Sequence, residues 1–225
     1  MVEPQICYED EALLALNKPP GMPAQPDPTG DLSLLAWAEE RAGHALHLAN
    51  RLDRPVSGLM LLAKTPQAMA QVQRQFHDGS VRKEYVAVVA GAPEQPQDTL
   101  VHFLTQNPRT HRAYAHAEER PGAMRAELRY RLIGRGDRYA FLLVQPFTGR
   151  HHQIRAQLSA IGCPIRGDVR YGARRANTDR SIHLHAWRLT LEHPITKQNM
   201  SFEAPLPQTD TLWIAAAQAL QTEAF

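Results

Sequence analysis

Cysteine is nearly absent: Cys7 and Cys163 are the only two among 225 residues. So few thiols exclude a disulfide framework and a cysteine-rich zinc module, and a reducing compartment is expected. Lysine is also scarce. Of 25 basic side chains only four are lysines, at positions 18, 64, 83 and 197, which leaves 21 arginines (25 less 4). No apolar run approaches the ~20 residues of a membrane span, and residues 1–10 lack the basic-then-apolar order of a secretion signal. A cytoplasmic protein without a membrane partner is expected. There is no internal repeat, no heptad pattern and no low-complexity tract. A strong charge of one sign is missing too: the formal net charge is +2, which does not by itself identify a nucleic-acid partner. The arginine bias suits planar, two-pronged phosphate recognition and stacking on bases, and it equally suits a lysine-poor proteome.

What remains is ordinary for a globular chain, with 43% hydrophobic and 21% charged residues. The length fits one large domain or two halves sharing a core. A single domain over 1–225 is expected, with no room before Ile6 for an added N-terminal RNA-binding module.

Ile6–Tyr8 and Leu13–Asn17 read as short strands. Between Lys18 and Gly30, five prolines and two glycines exclude regular structure and mark a long ordered loop. Asp31 is placed to cap a helix through Arg41, and a strand is expected near Ala45–Ala49. The apolar run Gly58–Ala63 reads as a buried strand. Thr65-Pro66 starts a helix, with a capping hydroxyl and a proline in the first turn, and Gly79 ends it. Lys83–Ala90 alternates as a strand does, and Gly91–Asp98 is a proline-rich connection. Further strands are expected at Ala123–Ile133, Ala140–Gln145, Ile182–Leu191 and Met200–Ala204, and helices at Arg150–Ile161 and Thr209–Leu220. Strands outnumber helices without strict alternation, so the fold class is α+β, a mixed, largely antiparallel central sheet flanked by helices.

Three constellations carry chemistry. In Asn50-Arg-Leu-Asp53-Arg-Pro-Val-Ser-Gly58 a carboxylate lies between two arginines, and Arg54-Pro55 keeps the following segment extended, which puts Asp53 on a loop edge. The flanking charges favour its ionised form, as a nucleophile or base requires; a surface ion pair is the alternative. In Thr148–Leu158 and the helix it opens, Ile154, Leu158 and Ile161 share one face, leaving Arg155 and His152 on another. Arg155 is then a charge partner for Asp53 or a solvated helix arginine. The pair His151-His152 lacks neighbours to complete a ligand set, so no metal is expected. Lys83-Glu-Tyr85 opens a strand, where the tyrosine ring either stacks on a base or packs in the core.

Together these blocks resemble, in order, the signatures of the RluA-type pseudouridine synthases. They are Asn17-Lys-Pro-Pro-Gly21, Arg51–Gly58, Lys83-Glu-Tyr85, Thr148–Arg155, Gly162–Asp168, and Leu184-His-Ala186 with His193-Pro194. The resemblance covers roughly residues 6–206. It implies the pseudouridine synthase catalytic fold over 1–225, two half-domains sharing one sheet with an active-site cleft and no S4 domain, and isomerisation of uridine in structured ribosomal or transfer RNA without a cofactor. It further implies Asp53 as catalytic residue, Arg155 as its salt-bridge partner, Tyr85 as the ring stacked on the uracil, and Arg51 entering the space left by the flipped base. Arg54, Lys18, Arg150 and His152 are expected to contact RNA, and the protein to be a monomer. Two departures stand out: Asn50 replaces a usual histidine and Val56 a usual threonine. A non-catalytic RNA-binding or ribosome-assembly module on the same fold is the alternative. A two-carboxylate glycoside hydrolase is disfavoured, because no motif block supplies a second carboxylate.

Overall fold

The computed structural model describes residues 2–222, so the extreme ends of the expected 1–225 domain lie outside the described residues. The chain divides into two compact units. One comprises residues up to Lys83 with His185–Leu206, and the other Glu84–Leu184 with the residues from 207 onward.

The first unit is organised on β4 (Ser57–Ala63), in which every residue is buried. Its leucines and Met60 pair antiparallel with β2 (Leu13–Lys18), from Leu13 opposite Ala63 to Lys18 opposite Gly58. Strand β1 (Gln5–Glu9) pairs with β2 on its other side, and the short β3 (His47–Leu48) also pairs with β4. Helix α1 (Leu34–Ala42) is capped by the Ser33 hydroxyl rather than by Asp31; the carboxylate of Asp31 is held by Arg54 instead. Helix α2 (Pro66–Asp78) begins and ends where its punctuation predicts, capped by the Thr65 side chain and closed by Gly79 in left-handed geometry. The unit is completed by β10 (Leu184–Glu192) and β11 (Asn199–Glu203), an antiparallel pair.

Strand β10 runs parallel to β4, with His185 opposite Ser57 and Ala186 opposite Gly58. Gly58 makes this approach possible: its φ is +113°, and a Cβ there would lie 2.5 Å from the Ala186 nitrogen and overlap the Ala186 carbonyl. Gly58→Ala is therefore expected to destabilise the protein by about 3 kcal/mol, combining backbone strain with overpacking. Chemical denaturation measures this, and a loss below 1 kcal/mol would mean that β4 and β10 separate at little cost.

The second unit is an antiparallel series. Strand β5 (Arg82–Ala90) pairs with β9 (Tyr139–Pro146), β9 with β8 (Met124–Arg135), β8 with β6 (Gln97–Gln106), and β6 with β7 (Ala113–His116). Strands β6 and β7 occupy a stretch to which the sequence reading assigns no element. Helix α4 (Thr211–Thr222) packs on β8 and β9, passing so close that a Cβ on Gly134 would sit 2.9 Å from the Ala219 methyl. Helix α3 (Gln153–Ala160) packs on β6 and β7. Among the described residues no helix is long and apolar enough to cross a membrane.

Candidate active site

The loop bearing Asp53 is fixed at both ends by side chains of its own unit. Before it, Asn50 continues the β3–β4 ladder: its amide donates to the Leu59 carbonyl at 3.3 Å, and its oxygen accepts from the Leu61 N–H at 2.7 Å. Both polar ends are thus spent on backbone, which gives this residue a structural job that needs no titrating group. After it, the Val56 N–H closes a turn onto the Asp53 carbonyl at 3.0 Å, and Gly21 N–H reaches the Arg54 carbonyl at 2.8 Å. Asp53 itself is half-buried, whereas Arg51 is exposed.

Arg54 and Lys18, both expected to contact RNA, are engaged by groups of the protein, and only Arg54 keeps an exposed surface. The Arg54 guanidinium donates to the Gly21 carbonyl at 2.9 Å, to Thr29 at 3.0 Å, and to the carboxylates of Asp27 and Asp31. Its charge is compensated within the proline-rich loop, which it ties to the Asp53 turn. Lys18 is fully buried. Its Nζ donates to the carbonyls of Pro19 at 2.9 Å, Met22 at 3.0 Å and Arg54 at 3.3 Å. Burial pulls the Lys18 pKa down to about 7, an effect that Asp53 opposes and Arg54 adds to.

Lys18→Met is expected to lower stability by about 2–4 kcal/mol, because three carbonyls lose their donor in the interior. Turnover should fall with it, since one of those carbonyls belongs to the residue after Asp53. The pH dependence separates the clamp from general damage. Folded Lys18 holds its proton with a pKa of about 7 against 10.5 for the free group, so between those values the unfolded chain carries more protons and stability rises with pH. That rise should vanish in the methionine variant, as measured by denaturation at several pH values. An unchanged slope would remove Lys18 as its source.

His185 and Ser57 were not singled out by sequence, although Leu184-His-Ala186 and Ser57-Gly58 both fall in motif blocks. Complete burial pushes His185 down to about 4, so it is neutral. Its Nδ1 accepts from the Ser57 hydroxyl at 2.8 Å while Nε2 donates to the Ala204 carbonyl at 3.2 Å. The pair locks the base of the Asp53 turn to β10.

In the second unit Tyr85 lies half-buried on β5, opposite Val144 of β9. Arg155 is not on a solvated face: α3 is buried all round from Gln153 to Leu158. Its guanidinium forms a two-pronged pair with Asp168, Nε to Oδ2 at 2.7 Å and Nη2 to Oδ1 at 2.9 Å. The ring of Tyr171 lies 4.9 Å from the Arg155 guanidinium carbon. Burial raises the pKa of this tyrosine, whose hydroxyl accepts from the Ala113 N–H at 2.8 Å and donates to His152 Nδ1 at 2.9 Å. Asp168 and Tyr171 are thus the supports that sequence reasoning missed. The motif Gly162–Asp168 contained the first but did not reveal its partner.

The turn leading into α3 is fixed by Gln153, whose Oε1 accepts from Thr148 Oγ1 at 2.7 Å and from Arg150 N–H at 3.0 Å. His152 takes left-handed geometry, φ +51°, as the residue before the helix. Arg150 is exposed, with Nε on the Arg125 carbonyl at 3.2 Å. The rings of His151 and His152 stack at 3.8 Å. Among the described residues no cluster of three or more His, Cys, Asp or Glu could hold a metal ion.

Comparison with known proteins gives concordant results. The chain matches the RNA pseudouridylate synthase family over residues 12–160. It is 33% identical over 209 residues to the Bacillus subtilis "uncharacterized RNA pseudouridine synthase YjbO", covering 90% of this chain and 72% of that one. It is 32% identical to ribosomal large subunit pseudouridine synthase C of Vibrio vulnificus, covering 89% of this chain and 65% of that one. It is 30% identical to tRNA pseudouridine synthase C of Salmonella typhimurium, covering 94% and 88%. Among solved structures, human RNA pseudouridylate synthase domain containing 4 superposes with a TM-score of 0.75 at 26% identity, covering 96% of this chain and 92% of that one.

Proposed function

This chain belongs to the RNA pseudouridylate synthase family, and from that premise we propose that it isomerises uridine in structured ribosomal or transfer RNA with Asp53 as the catalytic residue. The observation that carries this reading is the span of the family match, residues 12–160, which contains Asp53, Tyr85 and Arg155 together. The names of the ribosomal and transfer RNA relatives support the two substrate classes.

The reaction breaks the bond between ribose C1′ and N1, turns the uracil, and joins C1′ to C5. The C5 proton leaves and N1 gains one, so no oxidant, reductant or water is consumed. Asp53 acts at the ribose, by attack on C1′ or by removing a sugar proton, and Arg155 takes the role of its salt-bridge partner. Tyr85 stacks on the uracil, with its hydroxyl close to the atoms that exchange protons. Arg51, exposed on the same loop as Asp53, fills the place the target base vacates, offsetting part of the few kcal/mol of unstacking. Arg150 and His152 lie at the entrance to α3 and contact the RNA backbone.

RNA from a strain lacking this gene, read by a pseudouridine-specific chemistry, tests the proposal. At least one ribosomal or transfer RNA uridine should lose its modification and regain it when the purified protein is added. RNA binding without any product would favour the non-catalytic RNA-binding reading.

A further inference from the structure

The second unit carries a basic cleft that none of the motif blocks accounts for as a whole. About 820 Å³ in volume, it is lined by Arg138, Tyr139, Arg166, Arg174 and Arg175, with the turn at Gly91 forming part of its wall. It sits at the Ala90 end of β5, where Ala90 pairs with Tyr139, whereas Tyr85 pairs with Val144 at the other end. Five residues of strand separate the two positions, roughly 17 Å.

Three chain segments build it, and backbone bonds hold them together. Gly91 N–H donates to the Arg138 carbonyl at 3.0 Å, and Ala90 N–H to that of Pro164 at 2.9 Å. Arg166 is held on both sides, its N–H on the Val88 carbonyl and its carbonyl accepting from His183 N–H, each at 2.9 Å. Its guanidinium in turn donates to the Arg175 carbonyl at 3.1 Å, fixing the turn that carries Arg174 and Arg175.

Three arginines elsewhere have a carboxylate beside them: Arg54 is paired with Asp27 and Asp31, Arg125 with Glu127, and Arg188 with Glu203. Among the described residues no carboxylate lines the cleft wall, Asp137 beside Arg138 included. Four like charges gathered round one volume repel each other unless an anion enters. Guanidinium groups from separate segments suit a chain of phosphates better than one small ion, because each can take its own phosphate in two-pronged geometry. Tyr139 adds a ring on which a base or sugar can rest.

We propose that this cleft is a second backbone-binding site for the substrate RNA, gripping phosphates away from the target nucleotide. The inference rests on the RNA reading above for the identity of its polyanion. At about 3.4 Å of rise per nucleotide, the distance along β5 corresponds to roughly five stacked nucleotides. The cleft thus engages the stem or flanking strand of a structured RNA and leaves the uridine to the residues around Tyr85.

The test is the triple variant Arg138→Gln, Arg174→Gln, Arg175→Gln, with Arg166 retained because it braces the turn. Binding is measured against salt on a long structured RNA and on a hairpin too short to reach the cleft. On the long RNA the slope of log affinity against log salt should fall by about 2–3, one contact per arginine. KM should rise about tenfold or more with kcat at saturation unchanged. The short hairpin should bind and react as with the wild type, and the triple Arg→Lys variant should keep most of the slope. Equal slopes and KM for wild type and triple Gln variant on the long RNA would overturn the proposal. So would competition by inorganic phosphate at millimolar concentration, which would mark a small-anion site. The binding arm needs no turnover: a wild type that makes no pseudouridine yet loses its salt slope in the variant would retain the cleft and refute the catalytic reading.

Discussion

Asp53→Asn is expected to reduce pseudouridine formation by at least ~10²–10⁴-fold, the contribution of a positioned acid–base or nucleophilic group, with little change in folding or RNA affinity. The amide keeps the shape of the side chain, and the turn that carries it is held by other groups. Those are the Val56 N–H on the residue's own carbonyl, Asn50 on β4, and Lys18 on the Arg54 carbonyl. Release of tritium from C5-labelled uridine in RNA measures turnover, and thermal melting tracks the fold. Activity within tenfold of wild type would sink the assignment of Asp53. A secondary signature accompanies the loss. The Asp53 carboxylate is the influence that raises the Lys18 pKa against burial, so in the variant the pH-dependent rise in stability should begin at lower pH.

The second large effect concerns Asp168. Arg155 and Asp168 are both almost completely buried, with side-chain exposures of 6% and 2%. Removing the acid in Asp168→Ala leaves a guanidinium without its two-pronged partner in the interior, a change that costs about 3–5 kcal/mol. Denaturation should show that loss, and turnover should disappear because the Arg155 head group is no longer oriented. The double variant Arg155→Met, Asp168→Leu distinguishes fold from chemistry. Replacing a buried ion pair by apolar groups of similar volume is often neutral, so stability should return largely to wild type. Turnover should not return, because the charge proposed to hold the Asp53 carboxylate is gone. A double variant that is both stable and active would confine Arg155 to packing.

Local chemistry made much of this protein readable from sequence. Thr65-Pro66 and Gly79 delimit α2 because a hydroxyl cap, a proline and a left-handed glycine act within one turn of the helix. The run from Gly58 to Ala63 is a buried strand because an unbroken apolar stretch has no face to give to water. The ordered motif blocks, with Asp53, Tyr85 and Arg155 among them, identified the family, since each block is a short string whose spacing is fixed by its own backbone.

Other features depended on partners far along the chain. Strands β6 and β7 lacked periodicity because Val101 and Tyr114 on them stay exposed, and their strand state comes from pairing with β8 and with each other. Lys18 and Arg54 were expected at RNA through the family resemblance, and neither shows its protein partners in the sequence. Only the fold brings three carbonyls to one and two carboxylates to the other. For Arg155 the sequence left open a charge partner of Asp53 or a solvated helix arginine, and its burial against Asp168 and Tyr171, 13 and 16 positions further on, removes the second. The arginine cleft illustrates the same limit: Arg138, Arg166 and Arg174 are ordinary basic residues in sequence, and they become a site when backbone pairing at the end of β5 converges their charges. The sequence by itself determined the family and the main elements, because those are encoded in neighbouring residues. The tertiary structure alone decided which charges are compensated, which are buried and which stay available to RNA, because electrostatic energy depends on distance in space.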